Sequence, residues 1–144
     1  MHTLKVENVT KRYGSAVVVK DLSFTAEPGR VTGFLGPNGS GKSTLMKIML
    51  GLASADQGRA TIGDKLYRDL SEPARTVGTF LESDAFHPGR SGRDHMRILA
   101  DGSGVSHGRV DELLEVAGLA EAAKRSVRGY SLGMRQRLGL AVAL

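Results

Sequence analysis

The 144-residue sequence contains no cysteine and no tryptophan. Without cysteine, disulfide cross-links and thiolate metal sites are excluded, so burial and hydrogen bonding must hold the fold together. Aromatic residues make up only 5% of the chain, and no basic stripe interleaved with aromatics is present. No apolar run approaches the roughly 18 residues that span a bilayer. Residues 1–9 alternate polar and apolar side chains, where a secretion signal would carry a continuous apolar stretch. The chain is therefore expected in the cytoplasm. Acidic residues are in deficit: 20 Lys and Arg against 15 Asp and Glu leave a formal charge of +5. Such an excess suits nucleic acid, an anionic membrane surface or a phosphate-bearing ligand. The cations are scattered along the chain, which argues against nucleic acid.

What is present is ordinary for one globular domain: 40% hydrophobic and 24% charged residues. Leu4, Val6 and Val9 lie near one face of a first expected strand over residues 2–9, and the turn Tyr13-Gly14-Ser15 leads to a second over 17–25. Pro28-Gly29 marks another turn. The apolar run Val31–Leu35 reads as a fully buried strand, of the kind parallel sheets use. From Ser43 the period changes: Leu45, Ile48, Met49 and Leu52 form one stripe of a helix, with Gly51 near its end. Residues 58–67 suggest a hairpin and 76–81 a further strand. Beyond Pro88-Gly89 the chain is expected to be helical. Val110, Leu113, Leu114 and Ala117 form one stripe, Asp111 and Glu112 stand in its first turn, and Gly118 is its C-terminal cap. A last helix starts near Ser131, with Leu138 and Val142 four apart.

The strongest signal joins the expected strand 31–35 to the helix after it. Residues 36–44, GPNGSGKST, match G-x-x-x-x-G-K-[ST]. The glycines Gly36, Gly39 and Gly41 let the backbone approach phosphates closely. Residues 36–44, Pro37, Asn38, Ser40 and Thr44 included, are expected to wrap the nucleotide, and their successive N–H groups, all but proline's, form an anion nest at a helix N-terminus. Lys42 supplies a point charge for the β- and γ-phosphates, and the Ser43 hydroxyl a ligand for Mg²⁺. A chance match in a chain of this length is expected only about once in several hundred. ATP with Mg²⁺ is the expected ligand.

The wording GPNGSGKST resembles the phosphate loop of ABC ATPases. The stretch Tyr130-Ser-Leu-Gly-Met-Arg-Gln-Arg137 is similar to that family's signature, usually L-S-G-G-Q, and Ser131 lies 89 residues after Lys42, as a helical subdomain would require. The resemblance covers the whole chain. It implies an α/β P-loop core with an antiparallel β subdomain and a helical subdomain, the C-terminal part of the core being absent. Residues 1–82 would hold the β subdomain and P-loop core, 83–130 the helical subdomain, and 131–144 the start of the signature helix. Tyr13 matches the position of the adenine-stacking aromatic. Ser131, Leu132, Gly133 and Met134 match the signature that contacts the γ-phosphate held by the opposite subunit, which gives Ser131 a catalytic role in trans beside Lys42. Glu82 stands where the family places a glutamine that helps hold Mg²⁺. A carboxylate can ligate the same hard cation.

The form YSLGMRQR departs from the consensus at Tyr130, Leu132 and Met134, and resembles drug- and antibiotic-export ATPases. The implied function is the ATP-binding subunit of an ABC transporter. It would be peripheral on the inner face of the membrane, partnered by transmembrane permease subunits and a second nucleotide-binding domain, with a homodimer expected and no nucleic acid. The family's water-polarising glutamate and switch histidine come after the signature and are not among these residues. His2, His87, His95 and His107 all precede it and take no catalytic role, with His87 expected in a loop and His95 on a helix surface. Nucleotide binding with poor hydrolysis is therefore expected of these residues alone, together with marginal stability from an incomplete sheet. Two other readings stay open: an ABC-type ATPase acting in translation or DNA repair, and a non-catalytic remnant.

Overall fold

Val6 and Val9 can share an apolar face only if the strand between them is irregular, because side chains three apart in a regular strand point oppositely. The computed structural model, which describes residues 2–81 and 86–144, supplies that irregularity. β1 (Leu4–Tyr13) shifts register against β2 (Ala16–Ala26) between Val6 and Val9. Asn8 lies in this bulge at φ 50. Its amide donates to Ser23 Oγ (2.8 Å) and its side-chain nitrogen to Asp21 Oδ1 (3.1 Å). The extra residue turns both valines inward, and both are buried.

β3 (Gln57–Ile62) pairs antiparallel with the other edge of β1, giving the order β2-β1-β3. This corrects the hairpin expected over 58–67: β3 finds its ladder on β1, and only a single bridge from Ile62 to Lys65 turns back. α1 (Lys42–Met49) lays Leu45 and Ile48 on the sheet. It ends one turn sooner than its apolar stripe suggests. Gly51 takes φ 69, its N–H bonds Ile48 O (3.0 Å), and Leu52 N–H reaches back to Lys47 O (2.8 Å). That pair of bonds closes the helix and leaves Leu52 exposed. The short α2 (Pro73–Thr76) ends this unit, which runs to Thr76.

Residues 31–35 and 76–81 do not form strands. A strand exists through its ladder, and among the described residues neither segment has a partner to donate to. Val31 and Leu35 are almost wholly exposed (103% and 93%), against the burial their apolar character suggested. Phe34 alone packs inward, its ring 5.6 Å from that of Phe24.

The second unit, Val77–Leu144, is helical. It contains α3 (Gly92–Ser103), α4 (His107–Val116) and α5 (Leu132–Val142). Their core holds Met96, Val110, Leu113, Leu114, Leu119, Val127, Tyr130 and Leu138. Ser91 and Ser106 cap α3 and α4 by accepting from Asp94 and Arg109 amides. α4 therefore begins before the expected start, and Asp111 and Glu112 fall beyond its first turn. Asp111 serves the packing of α3 instead, 3.0 Å from Arg93 Nε and 3.8 Å from Arg97. The closer contact has ion-pair distance without hydrogen-bond alignment. Gly118 caps α4 as expected, with φ 64 and bonds from Gly118 N to Glu115 O and Leu119 N to Leu114 O, both 2.8 Å. His87 lies in a loop. His95 is half-buried rather than free on a helix surface, edge-on to Phe86 at 5.0 Å. Its pKa is lowered by burial first and then by Arg90 and His87.

Candidate functional site

The loop of residues 36–41 is exposed except for the partly buried Gly41, and it turns on itself through Ser40 N–H to Pro37 O (3.3 Å). Gly39 and Gly41 adopt φ 81 and 84. Gly41 is the N-cap of α1, and no side chain caps that helix end. The amides of the first turn therefore face outward unclaimed by a cap, as an anion site requires.

Lys42 is bent back over the loop. Its Nζ donates to Gly36 O and Pro37 O, both at 2.6 Å, and lies 3.5 Å from Ser40 Oγ. The ammonium thus occupies the mouth of the loop, held by neutral carbonyls. A phosphate oxygen there would offer it a charge-assisted bond, which is the stronger interaction. A Cβ on Gly36 would come within 2.7 Å of Ser40 Oγ, so glycine keeps this cradle open. Ser43 is exposed and Thr44 half-buried at the start of α1. Glu82 lies outside the described residues. Among the described residues no cluster of three or more His, Cys, Asp or Glu could hold a metal.

Tyr13, at the end of β1, is 53% exposed, with Lys11 Nζ 5.3 Å from its ring centroid. Tyr13 and the glycine loop belong to the first unit, Ser131 to Met134 to the second. Within the second unit Ser131 caps α5, accepting from Met134 N–H at 3.2 Å. Leu132 is exposed, and a Cβ on Gly133 would meet nothing within 4 Å. Among the described residues of this unit, packing does not require glycine at 133, and the head of α5 is open. Ser131→Ala should lower the stability of this unit by about 1 kcal/mol, the usual cost of a lost N-cap. Denaturant melts of the two chains would measure it, and coincident curves would show the cap to be idle.

Several residues that shape these features carried no motif. Arg137 Nη1 donates to Ala117 O (3.0 Å) and Gly118 O (3.1 Å), neutralising the C-terminal end of α4 from α5. Arg135 Nη1 donates to Tyr130 O (3.2 Å). Asp56 grips both Lys11 and the Arg12 amide beside Tyr13. Only a structure brings such partners together, because each pair is far apart in sequence or uses backbone atoms.

The sequence model of a family described as ABC transporter matches residues 19–144. An uncharacterized ABC transporter ATP-binding protein, YhcH of Bacillus subtilis, is 38% identical over 98% of this chain and 47% of its own length. The lantibiotic transport ATP-binding protein SrtF of Streptococcus pyogenes is 36% identical over 98% of this chain and 61% of its own. The bacitracin transport ATP-binding protein BcrA of Enterococcus faecalis is 37% identical over 99% and 47%. The chain thus spans between 47% and 61% of the length of these relatives. A solved structure described as the ATP binding subunit of an ABC transporter superposes with a TM-score of 0.73. It is 23% identical and covers 97% of this chain and 60% of its own. That likeness establishes the fold: an α/β P-loop fold with antiparallel β and helical parts.

Proposed function

This chain belongs to the ABC transporter family, and from that premise we propose that it is the nucleotide-binding part of an ATP-driven export subunit. The observation that carries the reading is the loop 36–44, with Lys42 poised over its mouth on the loop's own carbonyls. Bound ATP would take the Lys42 ammonium from those carbonyls and the outward amides from water. Phosphoryl transfer depends chiefly on such positioning and charge stabilisation. Ser43 would hold Mg²⁺, which when bound neutralises charge between the β- and γ-phosphates. Glu82 is proposed as a further ligand of that ion.

Tyr13 would stack on the base. Ser131, with the amides of Leu132, Gly133 and Met134 at the head of α5, would meet the γ-phosphate of a nucleotide held by a second copy. The domain limits implied by the family, 1–82, 83–130 and 131–144, fit this division of labour. Permease subunits in the membrane would be the mechanical partners. Among the described residues no helix is long and apolar enough to cross a membrane. A place at the membrane's inner face, beside those permeases, is part of the proposal. The names of SrtF and BcrA support antibiotic export as the transport class.

Titration with a fluorescent ATP analogue in the presence of Mg²⁺ tests the reading. Lys42→Ala should weaken binding by about tenfold to a hundredfold, the range for losing hydrogen bonds to a charged group. Equal affinity of the two chains, or no binding by either, would refute it.

A further inference from the structure

Asp56 is the residue just before β3, yet its carboxylate works on the far end of β1. Oδ2 accepts from Arg12 N–H at 2.6 Å and Oδ1 from Lys11 Nζ at 3.1 Å, while Asp56 N–H donates to Thr10 O at 2.9 Å. Three consecutive residues of β1 are thereby pinned by one side chain and its own amide. The Lys11 side chain is only 14% exposed, an unusual burial for lysine, which is rarely enclosed without a partner. Its ammonium, held by Asp56, lies 5.3 Å from the centroid of the Tyr13 ring, within the range of cation–π attraction. The Arg12 amide first, and Lys11 second, lower the pKa of Asp56, so the carboxylate is ionised throughout the neutral range.

The ladder partner of that strand end, β2, borders the phosphate loop. A Cβ on Gly41 would strike Val18 O and Val19 Cγ2, so the head of α1 abuts β2 there. Val19 stands opposite Lys11 in the ladder. Tyr13 is two residues further along, about 7 Å at the rise of a strand.

We propose that Asp56 is a positioning residue for the base of a bound nucleoside triphosphate. By gripping Lys11 and the Arg12 amide it fixes the Tyr13 ring, one face covered by a cation and the other presented to a purine. This rests on the reading of residues 36–44 as the phosphate site, and it extends that reading to how the base is held. A merely structural clip would affect all ligands of the unit alike. A base-positioning clip affects only ligands that carry a base.

Calorimetric titrations of the 144-residue chain with ATP and with inorganic tripolyphosphate separate the two. Asp56→Asn retains an acceptor for the Arg12 amide but lacks the charge that holds Lys11. It should weaken ATP binding about threefold to tenfold and leave tripolyphosphate binding unchanged. Lys11→Met, which keeps an unbranched stem, should do the same. Tyr13→Ala should have the larger effect on ATP, about tenfold to a hundredfold, because it removes the stacking surface itself. Parallel losses for both ligands, or no loss for ATP in either Asp56→Asn or Lys11→Met, would overturn the proposal while leaving the phosphate site standing. Failure of the unaltered chain to bind tripolyphosphate would instead remove the phosphate site, and this proposal with it.

Discussion

Replacing Gly41 with alanine should destabilise the first unit by about 3 kcal/mol and cut nucleotide affinity about a hundredfold. Two separate costs converge on this position. Its φ of 84 lies in the left-handed region, which adds about 1–2 kcal/mol for a residue with a Cβ. The new methyl group would also meet Val18 O and Val19 Cγ2. The first of these is backbone inside a paired strand and cannot swing aside, so overpacking adds about 1–3 kcal/mol. The head of α1 would have to retreat from β2, carrying with it the amides proposed to face the nucleotide. Loss of two such charge-assisted bonds accounts for about a hundredfold in affinity. Gly39→Ala is the control. Its φ of 81 is similar, but a Cβ there would meet nothing within 4 Å, so only the backbone strain should appear. Equal destabilisation by the two substitutions in denaturant melts would show that contact with β2 plays no part.

The glycine loop was legible because its chemistry is local. Nine consecutive residues carry the flexibility, charge and hydroxyl that a phosphate needs, and the helix after it announces itself by Leu45 and Ile48. The Gly118 cap was legible for the same reason: it acts within one turn of where it stands. What the sequence could not show is long-range or backbone-mediated. Val31–Leu35 has a strand's composition, but composition does not provide a ladder partner, and the segment stays unpaired. The stripe from Leu45 to Leu52 overran its helix because Gly51 closes it by dihedral angle, a signal that hydrophobic spacing ignores. The bulge at Asn8 and the grip of Asp56 on Arg12 N–H involve main-chain atoms, which have no letter in the sequence.

Tyr130 illustrates the same boundary and yields the second large effect. At the sequence level it is only a departure from the leucine that usually opens the signature. In the structure its side chain is buried to 4% exposure, and its hydroxyl donates to Ala122 O at 2.8 Å. Burial raises the pKa of that hydroxyl, more than Arg125 and the Gly92 amide lower it, so it remains a proton donor well above neutral pH. A Cβ on Gly92, the first residue of α3, would collide with this same hydroxyl. The tyrosine and the glycine are therefore complementary shapes. Tyr130→Ala should cost about 3–5 kcal/mol, the range for emptying a buried aromatic site. Gly92→Ala alone should cost about 1–3 kcal/mol from overpacking.

In the Tyr130→Leu background the collision is gone, and Gly92→Ala should become neutral or mildly stabilising, since alanine favours a helix over glycine by up to about 1 kcal/mol. A double-mutant cycle read by denaturant melts should give a coupling of about 1–3 kcal/mol between the two positions. Additive costs would mean that the hydroxyl does not determine the residue at 92. A large coupling would mean that Tyr130 and Gly92 are matched to each other within the helical unit. The head of α5, with Ser131 and the open Gly133 beside it, would then be held in place by this tyrosine.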